Sequence, residues 1–226
     1  MIVSGVDIAI KKSKRKTVSI FIERDGSVSA LVPSHLDDKE IASILKAKEY
    51  QIHRNLAQWL QLNEGHVTRE YVNGQSFLYL GRNYRLKMMD DKLGELKFSK
   101  GFFLLSKVEL SSAEGYFIEF YKNKLNEKIK PLIKRYKEQL GVAPNDVKVM
   151  ELRNRWASCS AKGNINFHWK CAMAPMDVLQ YIVVHELVHL IHLNHTPEFW
   201  NDLDKILPNY NKQMNWLRLN GVGMTL

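Results

Sequence analysis

A pentapeptide with two histidines, His185-Glu186-Leu187-Val188-His189, constrains this chain more than any other segment. Residues four apart on a helix lie on the same face, so both imidazoles can bind one metal ion. Glu186 is placed to act as a general base on a metal-bound water. Almost every residue between Leu179 and Ile191 outside these three is apolar, which predicts a buried helix. Two histidines and a glutamate inside such a helix indicate a metal centre.

A catalytic metal ion needs a third protein ligand, and two more histidines follow closely. His192 continues along the same helix face, and three ligands in one line do not suit a tetrahedral ion. His195 follows Asn194, a residue that tolerates the left-handed turn at which helices end, so the chain can return His195 to the ion. We therefore predict His195 as the third ligand. Asp202 or Asp204 of the next helix is the alternative.

Further motifs surround the pentapeptide and extend upstream over nearly the whole chain. They comprise Arg155-Trp156-Ala157-Ser158-Cys159-Ser160, Lys162-Gly163-Asn164-Ile165, His168-Trp169, Pro175, Tyr181-Ile182-Val183-Val184, Asn194-His195-Thr196 with Phe199-Trp200, and upstream Arg15-Lys16-Thr17, Lys48 to Trp59 and Tyr79-Leu80-Gly81-Arg82. In this combination the chain resembles the YgjP-like zinc metallopeptidases, a family related to the WLM and SprT peptidases. The resemblance implies that His185, His189 and His195 bind Zn²⁺ and that Glu186 is the catalytic base.

Two residues depart from the usual pattern of that family. Ala157 stands where the family has glycine, and His168 stands where it has asparagine. Both are expected at the rim of the site, where they would alter substrate preference. Peptide hydrolysis also needs a donor to the oxyanion besides the metal. His192, His168, Arg155 and Tyr210 are the candidates, and the sequence does not rank them.

The two cysteines, Cys159 and Cys171, do not form a C-x-x-C pair and are expected to be reduced, buried thiols. A second hypothesis is that Cys159 occupies the open metal position and keeps the enzyme latent. No segment approaches the roughly 18–20 apolar residues of a membrane span. The first residues lack the order of a signal peptide. We therefore predict a cytoplasmic protein that does not contact membranes.

The formal net charge is +9, and many of the basic residues fall in two clusters. The clusters comprise Lys11, Lys12, Lys14, Arg15 and Lys16, and Lys122, Lys124, Lys128, Lys130, Lys134, Arg135 and Lys137. A solvated surface is the simpler interpretation. The functional interpretation is a nonspecific nucleic-acid contact through phosphates, which the resemblance favours because related proteases act on DNA-attached protein. Such contact would be independent of base sequence and weakened by salt.

The front half of the chain has the patterns of strands. Alternating residues from Thr17 to Glu23 and from Ser27 to Val32, on either side of Asp25-Gly26, predict a β-hairpin. From Tyr71 to about Phe120, short apolar segments are separated by turn residues. This spacing predicts an antiparallel meander.

Helical patterns dominate the back half. One earlier helix is predicted to begin at Asp37-Asp38-Lys39-Glu40, a long basic helix spans Tyr121 to Leu140, and Thr196-Pro197-Glu198 begins another. The predicted fold class is α+β, with the histidine motif on a buried helix. We expect a β-rich N-terminal region over residues 1–115 and a helical, zincin-like catalytic domain over residues 116–226.

One strand is expected beside the metal helix. Asn164 to Cys171 alternates polar and apolar residues, as in a strand with one face on the core. In zinc peptidases such a strand presents a free edge to an extended substrate and binds its backbone regardless of side chains. A free edge here would give broad specificity for extended or unfolded polypeptide. An ordinary sheet strand is the alternative.

The residues favour peptide hydrolysis by a zinc-activated water with Glu186 as general base. Two other classes remain open. One is a metal-dependent hydrolase of a non-peptide bond, such as the phosphoanhydride of a nucleoside triphosphate, although the sequence has no phosphate-binding loop. The other is a binding module with a structural metal site, which would require a permanent fourth protein ligand.

Overall fold

The computed structural model describes residues 1–23, 26–63, 69–91, 93–152 and 155–226. Contacts within the chain divide it into two compact units, Met1–His66 and Val67–Leu226. Each unit has a hydrophobic core of its own. The predicted α+β class is confirmed, because strands dominate the first half of the chain and helices the second. In the described residues, no helix combines the length and the apolar character needed to cross a membrane.

The first unit is a four-stranded sheet followed by two helices. Its elements are β1 (Ile2–Val3), β2 (Val6–Ser13), β3 (Ser19–Ile22), β4 (Val28–Pro33), α1 (Asp38–Ala47) and α2 (Glu49–Asn63). The strand order is β1-β2-β4-β3, with β3 and β4 antiparallel. The predicted hairpin is therefore confirmed, although Asp25 in its turn lies outside the described residues.

The start of α1 follows from its capping residues. The backbone N–H of Glu40 donates to Asp37 Oδ1 at 2.7 Å, and the backbone N–H of Asp37 donates to Glu40 Oε2 at 2.9 Å. This reciprocal pair satisfies two amide groups that the first turn leaves without helical partners. Ile41 and Leu45 on the same helix are fully buried in the core of the unit. The predicted helix start is confirmed.

The second unit begins with a mixed four-stranded sheet. Its strands are β5 (Ser76–Tyr79), β6 (Arg82–Met89), β7 (Lys97–Ser99) and β8 (Phe102–Ser106), in the order β5-β6-β8-β7. The prediction of an antiparallel meander is wrong in one respect, because β6 and β8 are parallel. Phe103 and Leu105 on β8 are fully buried. Their burial suits the inner position of β8, which leaves the short β7 at the edge.

A long helix, α3 (Ala113–Leu140), packs in the same core as this sheet. It begins eight residues before the predicted Tyr121, following a 3₁₀ turn over Lys107–Ser112. Phe117, Tyr121 and Leu125 recur every fourth residue and are fully buried. The predicted division into residues 1–115 and 116–226 falls at the start of α3 and remains a prediction about functional domains.

The remaining elements surround the histidine motif. They are β9 (Asp146–Met150), β10 (Ala157–Cys159), β11 (Asn164–His168), α4 (Met176–Val188), α5 (Pro197–Ile206) and α6 (Tyr210–Asn220). The three strands form a sheet in the order β10-β11-β9. The strand predicted over Asn164 to Cys171 therefore ends at His168, where a 3₁₀ turn over Trp169–Met173 begins. This strand, β11, is the central one of its sheet, so a free edge can belong only to β10 or β9.

Candidate metal centre

Helix α4 carries the motif into the core and ends within it. Its apolar residues from Val178 to Val188 are buried on all sides, as expected for an internal helix. His185 and Glu186 lie in the last turn, and His189 is the C-cap residue. The helix ends at Val188, six residues before Asn194, the terminating residue that the sequence suggested. Amides of residues 190–192 donate to carbonyls of Leu187 and Val188, which tightens the chain immediately after the motif.

This early turn brings the three predicted ligands together. Nε2 of His185 lies 2.9 Å from Nε2 of His195. Each of His185, His189 and His195 offers one ring nitrogen, and these three atoms lie within 4.8 Å of one another. His185 and His189 are half-buried, whereas His195 is exposed. The cluster is thus anchored in the core and open to solvent on one side.

The donor set fits a tetrahedral metal ion. Nitrogen ligands at about 2.0–2.1 Å from Zn²⁺ would lie about 3.3 Å from each other. The separations of the three nitrogens, from 2.9 Å up to 4.8 Å, bracket that value. The buried Nδ1 of His185 has no hydrogen-bond partner in the described part of the chain. Three ligands of one protein leave a fourth position for water or substrate, as in catalytic sites.

The surroundings keep His185 and His195 neutral. Burial, together with the charges of His189 and His195, lowers the pKa of His185 to about 3. Burial and His189 also lower the pKa of His195. Neutral imidazole is the form that binds metals, because a protonated ring nitrogen has no lone pair to donate. These two rings can therefore accept a cation at neutral pH without first releasing a proton.

Glu186 is the one acidic group buried beside the histidines among the residues described. Its side chain is 6% exposed, and its Oε2 has no hydrogen-bond partner in the described chain. Burial raises the pKa of Glu186 to about 7, while the positive charge of Arg155 acts in the opposite direction. A carboxylate with an unused oxygen and a pKa in this range can both take and return a proton near neutral pH.

Helix α5 supplies an aromatic floor for the cluster. Thr196, Pro197 and Glu198 form its start as predicted. The fully buried ring of Phe199 lies 4.9, 4.6 and 4.7 Å from the rings of His185, His189 and His195, measured between centroids.

Trp200 adds a wall beside this floor. Its ring stacks on His195 at 5.4 Å and on Tyr210 at 5.5 Å, with interplanar angles of 23° and 18°. Tyr210 in turn stacks on Tyr181, whose ring meets the edge of His185 at 5.7 Å. Tyr181 was missed in the sequence analysis. Tyr181 lies four residues before His185 and therefore on the same face of the helix, which indicates from the sequence that the two rings lie close together.

His192 does not join the ligand cluster. Its Nε2 lies 2.8 Å from Oδ2 of Asp202 on α5, and its backbone carbonyl accepts a hydrogen bond from Nδ1 of His189 at 2.9 Å. Asp202, considered above as an alternative ligand, is therefore occupied with His192 and with Lys205 at 2.8 Å. The pairing of Asp202 with His192 was not predicted from the sequence.

The other candidate contacts differ in their surroundings. His168 is fully buried; its Nε2 lies 3.0 Å from Oε1 of Glu151, and its Nδ1 accepts from the amide of Lys170 at 3.0 Å. Both ring nitrogens are therefore used inside the protein. Arg155 is exposed and acts electrostatically on Glu186, and Tyr210 is half-buried in the aromatic stack.

Strand β10 lies beside this centre and has an open edge. It pairs with β11 and with no other strand in the described chain. Amides of Ser160 and His168 donate to carbonyls of Asn164 and Trp156. Since antiparallel pairs alternate, Ala157 and Cys159 direct their backbone groups away from β11. Burial, and secondly the charge of Glu186, raise the pKa of the Cys159 thiol.

The two basic clusters lie on different units. In the first, Lys12 on β2 pairs with Asp38 at 3.3 Å; in the second, Lys124 on α3 pairs with Glu127 at 2.9 Å. The four side chains are between 35% and 80% exposed, so these pairs contribute little to stability. Nucleic-acid contact through these clusters remains a prediction.

Comparison with known proteins points to one family. A model of the YgjP-like metallopeptidase domain matches residues 16–220. Among solved structures, the metallopeptidase zymogen of Pyrococcus abyssi abylysin is similar at 24% sequence identity and a TM-score of 0.37, over 39% of this chain and 90% of that one. No curated protein matches the sequence.

Proposed function

This chain belongs to the YgjP-like metallopeptidase family, and from that premise we propose that it is a zinc peptidase acting on extended or unfolded polypeptide. The observation that carries the proposal is the convergence of three imidazoles beside a buried carboxylate, Glu186. His185, His189 and His195 would hold the ion. Zn²⁺ in such a site supplies Lewis-acid activation of a water molecule and of the scissile carbonyl.

Glu186 provides the proton transfers. Its free Oε2 is the atom that would take a proton from the attacking water, and the same oxygen would then deliver that proton to the departing amine. The raised pKa of Glu186 suits both steps, because a strongly acidic carboxyl would retain too little proton affinity. Arg155 carries a positive charge near this carboxylate and would limit the rise of its pKa.

The open edge of β10 supports broad specificity. A substrate strand laid along Ala157 and Cys159 could form backbone hydrogen bonds with both residues, which depend little on the identity of its side chains. A compact folded protein cannot offer such a strand, whereas an unfolded chain can. The aromatic wall of Trp200, Tyr210 and Tyr181 flanks the histidines and would contact substrate side chains on that side.

The proposal is tested with a panel of substrates and a metal-free control. Zinc-loaded protein and protein stripped by a chelator are each incubated with an unfolded polypeptide, the same polypeptide in its folded form, and nucleoside triphosphates. We expect zinc-dependent cleavage of the unfolded chain and much slower cleavage of the folded one. Nucleotide hydrolysis without proteolysis would contradict the proposal. A parallel sample with DNA tests the predicted nucleic-acid contact.

A further inference from the structure

We infer that Asp202 is a positioning residue for the metal centre and that it acts on His189 through His192. Three contacts form a continuous chain. Asp202 Oδ2 lies 2.8 Å from His192 Nε2, and the carbonyl oxygen of His192 lies 2.9 Å from His189 Nδ1. Lys205 donates to the other carboxylate oxygen of Asp202 at 2.8 Å and fixes its orientation.

The last contact selects the tautomer of His189. When Nδ1 donates its proton to the carbonyl of His192, Nε2 keeps its lone pair and can bind the ion. This selection works only if the carbonyl stays in place. The amide of His192 donates to the carbonyl of Val188 at 2.9 Å, and fixing the direction of the His192 carbonyl requires a second point of attachment.

The side chain of His192 provides that fixation. Its ring is bound to α5 through Asp202, and α5 also carries Phe199, the aromatic floor under all three ligands. One helix therefore controls both the packing of the ligand rings and, through Asp202, the hydrogen bond that orients His189. The ring of His192 is committed to this contact, so we assign it neither to the ion nor to the substrate.

This inference rests on the proposed role of His189 as a ligand, and the two can fail separately. The first measurement is the dissociation constant of Zn²⁺ alone, by competition with a chromophoric chelator. We expect His189→Ala to lose most of its zinc affinity. Unchanged affinity in that variant would overturn the ligand assignment. Loss in His189→Ala without any change on removing Asp202 would overturn only the inference about Asp202.

The matched pair is Asp202→Ala and Asp204→Ala. Both remove one aspartate from α5 and change its helix propensity equally. Asp204 is exposed, no hydrogen bond or ion pair joins it to His192 in the described chain, and it lies outside the cluster of three histidines that could hold a metal ion. We expect Asp202→Ala to weaken zinc binding by about 10–100-fold, the range for partners of metal ligands. Asp204→Ala is expected to leave it unchanged. Equal effects of the two substitutions would overturn the inference.

A double-mutant cycle separates positioning from general stability. In a His192→Phe background the backbone carbonyl remains but the contact with Asp202 is lost, so Asp202→Ala should have no further effect on zinc affinity. Additive losses would show that Asp202 acts by another route and would overturn the inference. If Asp202→Ala does not fold, Asp202→Asn takes its place in the same cycle, with the same criterion.

Discussion

The histidines around the metal centre fall into two groups with different partners. His168 and His192 each lie within 3.0 Å of a carboxylate oxygen, from Glu151 and Asp202 respectively. His185, His189 and His195 have no carboxylate partner in the described chain, and their ring nitrogens converge on one another. A histidine whose ring is paired with a carboxylate inside the protein serves the framework, whereas a group of histidines whose ring nitrogens converge without a carboxylate partner is suited to binding a cation.

Within the second group, the ring nitrogens of His185 and His189 also differ in whether they have a hydrogen-bond partner. Nδ1 of His189 is satisfied by a carbonyl, and Nδ1 of His185 is buried without a partner in the described chain. Glu186 likewise has one unused buried oxygen. Unpaired buried polar atoms are costly, and two of those described in this unit lie at the metal centre, whereas Ser106 Oγ, Glu109 Oε2 and Gln213 Oε1 are others. The contrast between the two groups of histidines leads to the following predictions.

The largest effect is expected from Glu186→Gln. The amide fills the same space and removes the proton acceptor, so turnover on an unfolded polypeptide should fall by about 10²–10⁴-fold. Zinc content should be unchanged, because the ligands are untouched. The measurement is turnover together with metal content on the same preparation. Full activity in this variant would break the link between the unpaired carboxylate and catalysis.

Removal of the His195 ring, which has no carboxylate partner in the described chain, should abolish tight metal binding. His195→Ala leaves two protein ligands, and we expect a loss of zinc affinity beyond the roughly 10–100-fold effect of a ligand's partner. Because His195 is exposed, the fold should persist, which circular dichroism of the metal-free protein checks. His53→Ala, a histidine on an exposed position of α2, is the matched control. Equal zinc affinity in the two variants would exclude His195 as a ligand.

Removal of the His168 ring, which is paired with Glu151, should lower the stability of the fold and leave zinc affinity unchanged. His168→Phe loses the contact with Glu151 and leaves the amide of Lys170 without its acceptor, at a cost of about 1–3 kcal/mol. His168→Asn offers an oxygen to that amide and should cost less. Denaturant unfolding of the metal-free proteins measures both. A clear loss of zinc affinity in His168→Phe at unchanged stability would place His168 in the second group, with the metal-binding histidines.

Sequence reasoning predicted the three histidines that the structure brings together, because the relevant pattern is local. The spacing of His185 and His189 on an apolar helix fixes their common face, and the start of α5 at Thr196 follows from its own residues. The end of α4 could not be read in this way. The sequence suggested Asn194, yet the helix ends at Val188, because the chain must turn early to return His195 and to bring His192 to Asp202.

Long-range pairings were also beyond the sequence. β6 pairs in parallel with β8, and β11 is the central strand of its sheet. Alternation of polar and apolar residues predicts a strand but does not indicate which other strand lies beside it. The same holds for the partners of His168 and His192, which are Glu151, just after β9, and Asp202 on α5. The sequence contained these carboxylates without showing which ring each would meet.

The smallest effect is expected from Cys159→Ser. Burial and the charge of Glu186 raise the pKa of this thiol, so it stays protonated at neutral pH, whereas metals bind the thiolate. The thiol also lies 3.6 Å from the carbonyl of Ser160, a contact that serine can keep. Turnover of the zinc-loaded variant should therefore stay within about twofold of wild type. A turnover about tenfold higher would instead support latency through Cys159. The Cys159 sulfur would then be a fourth ligand of the ion, beside the three histidines.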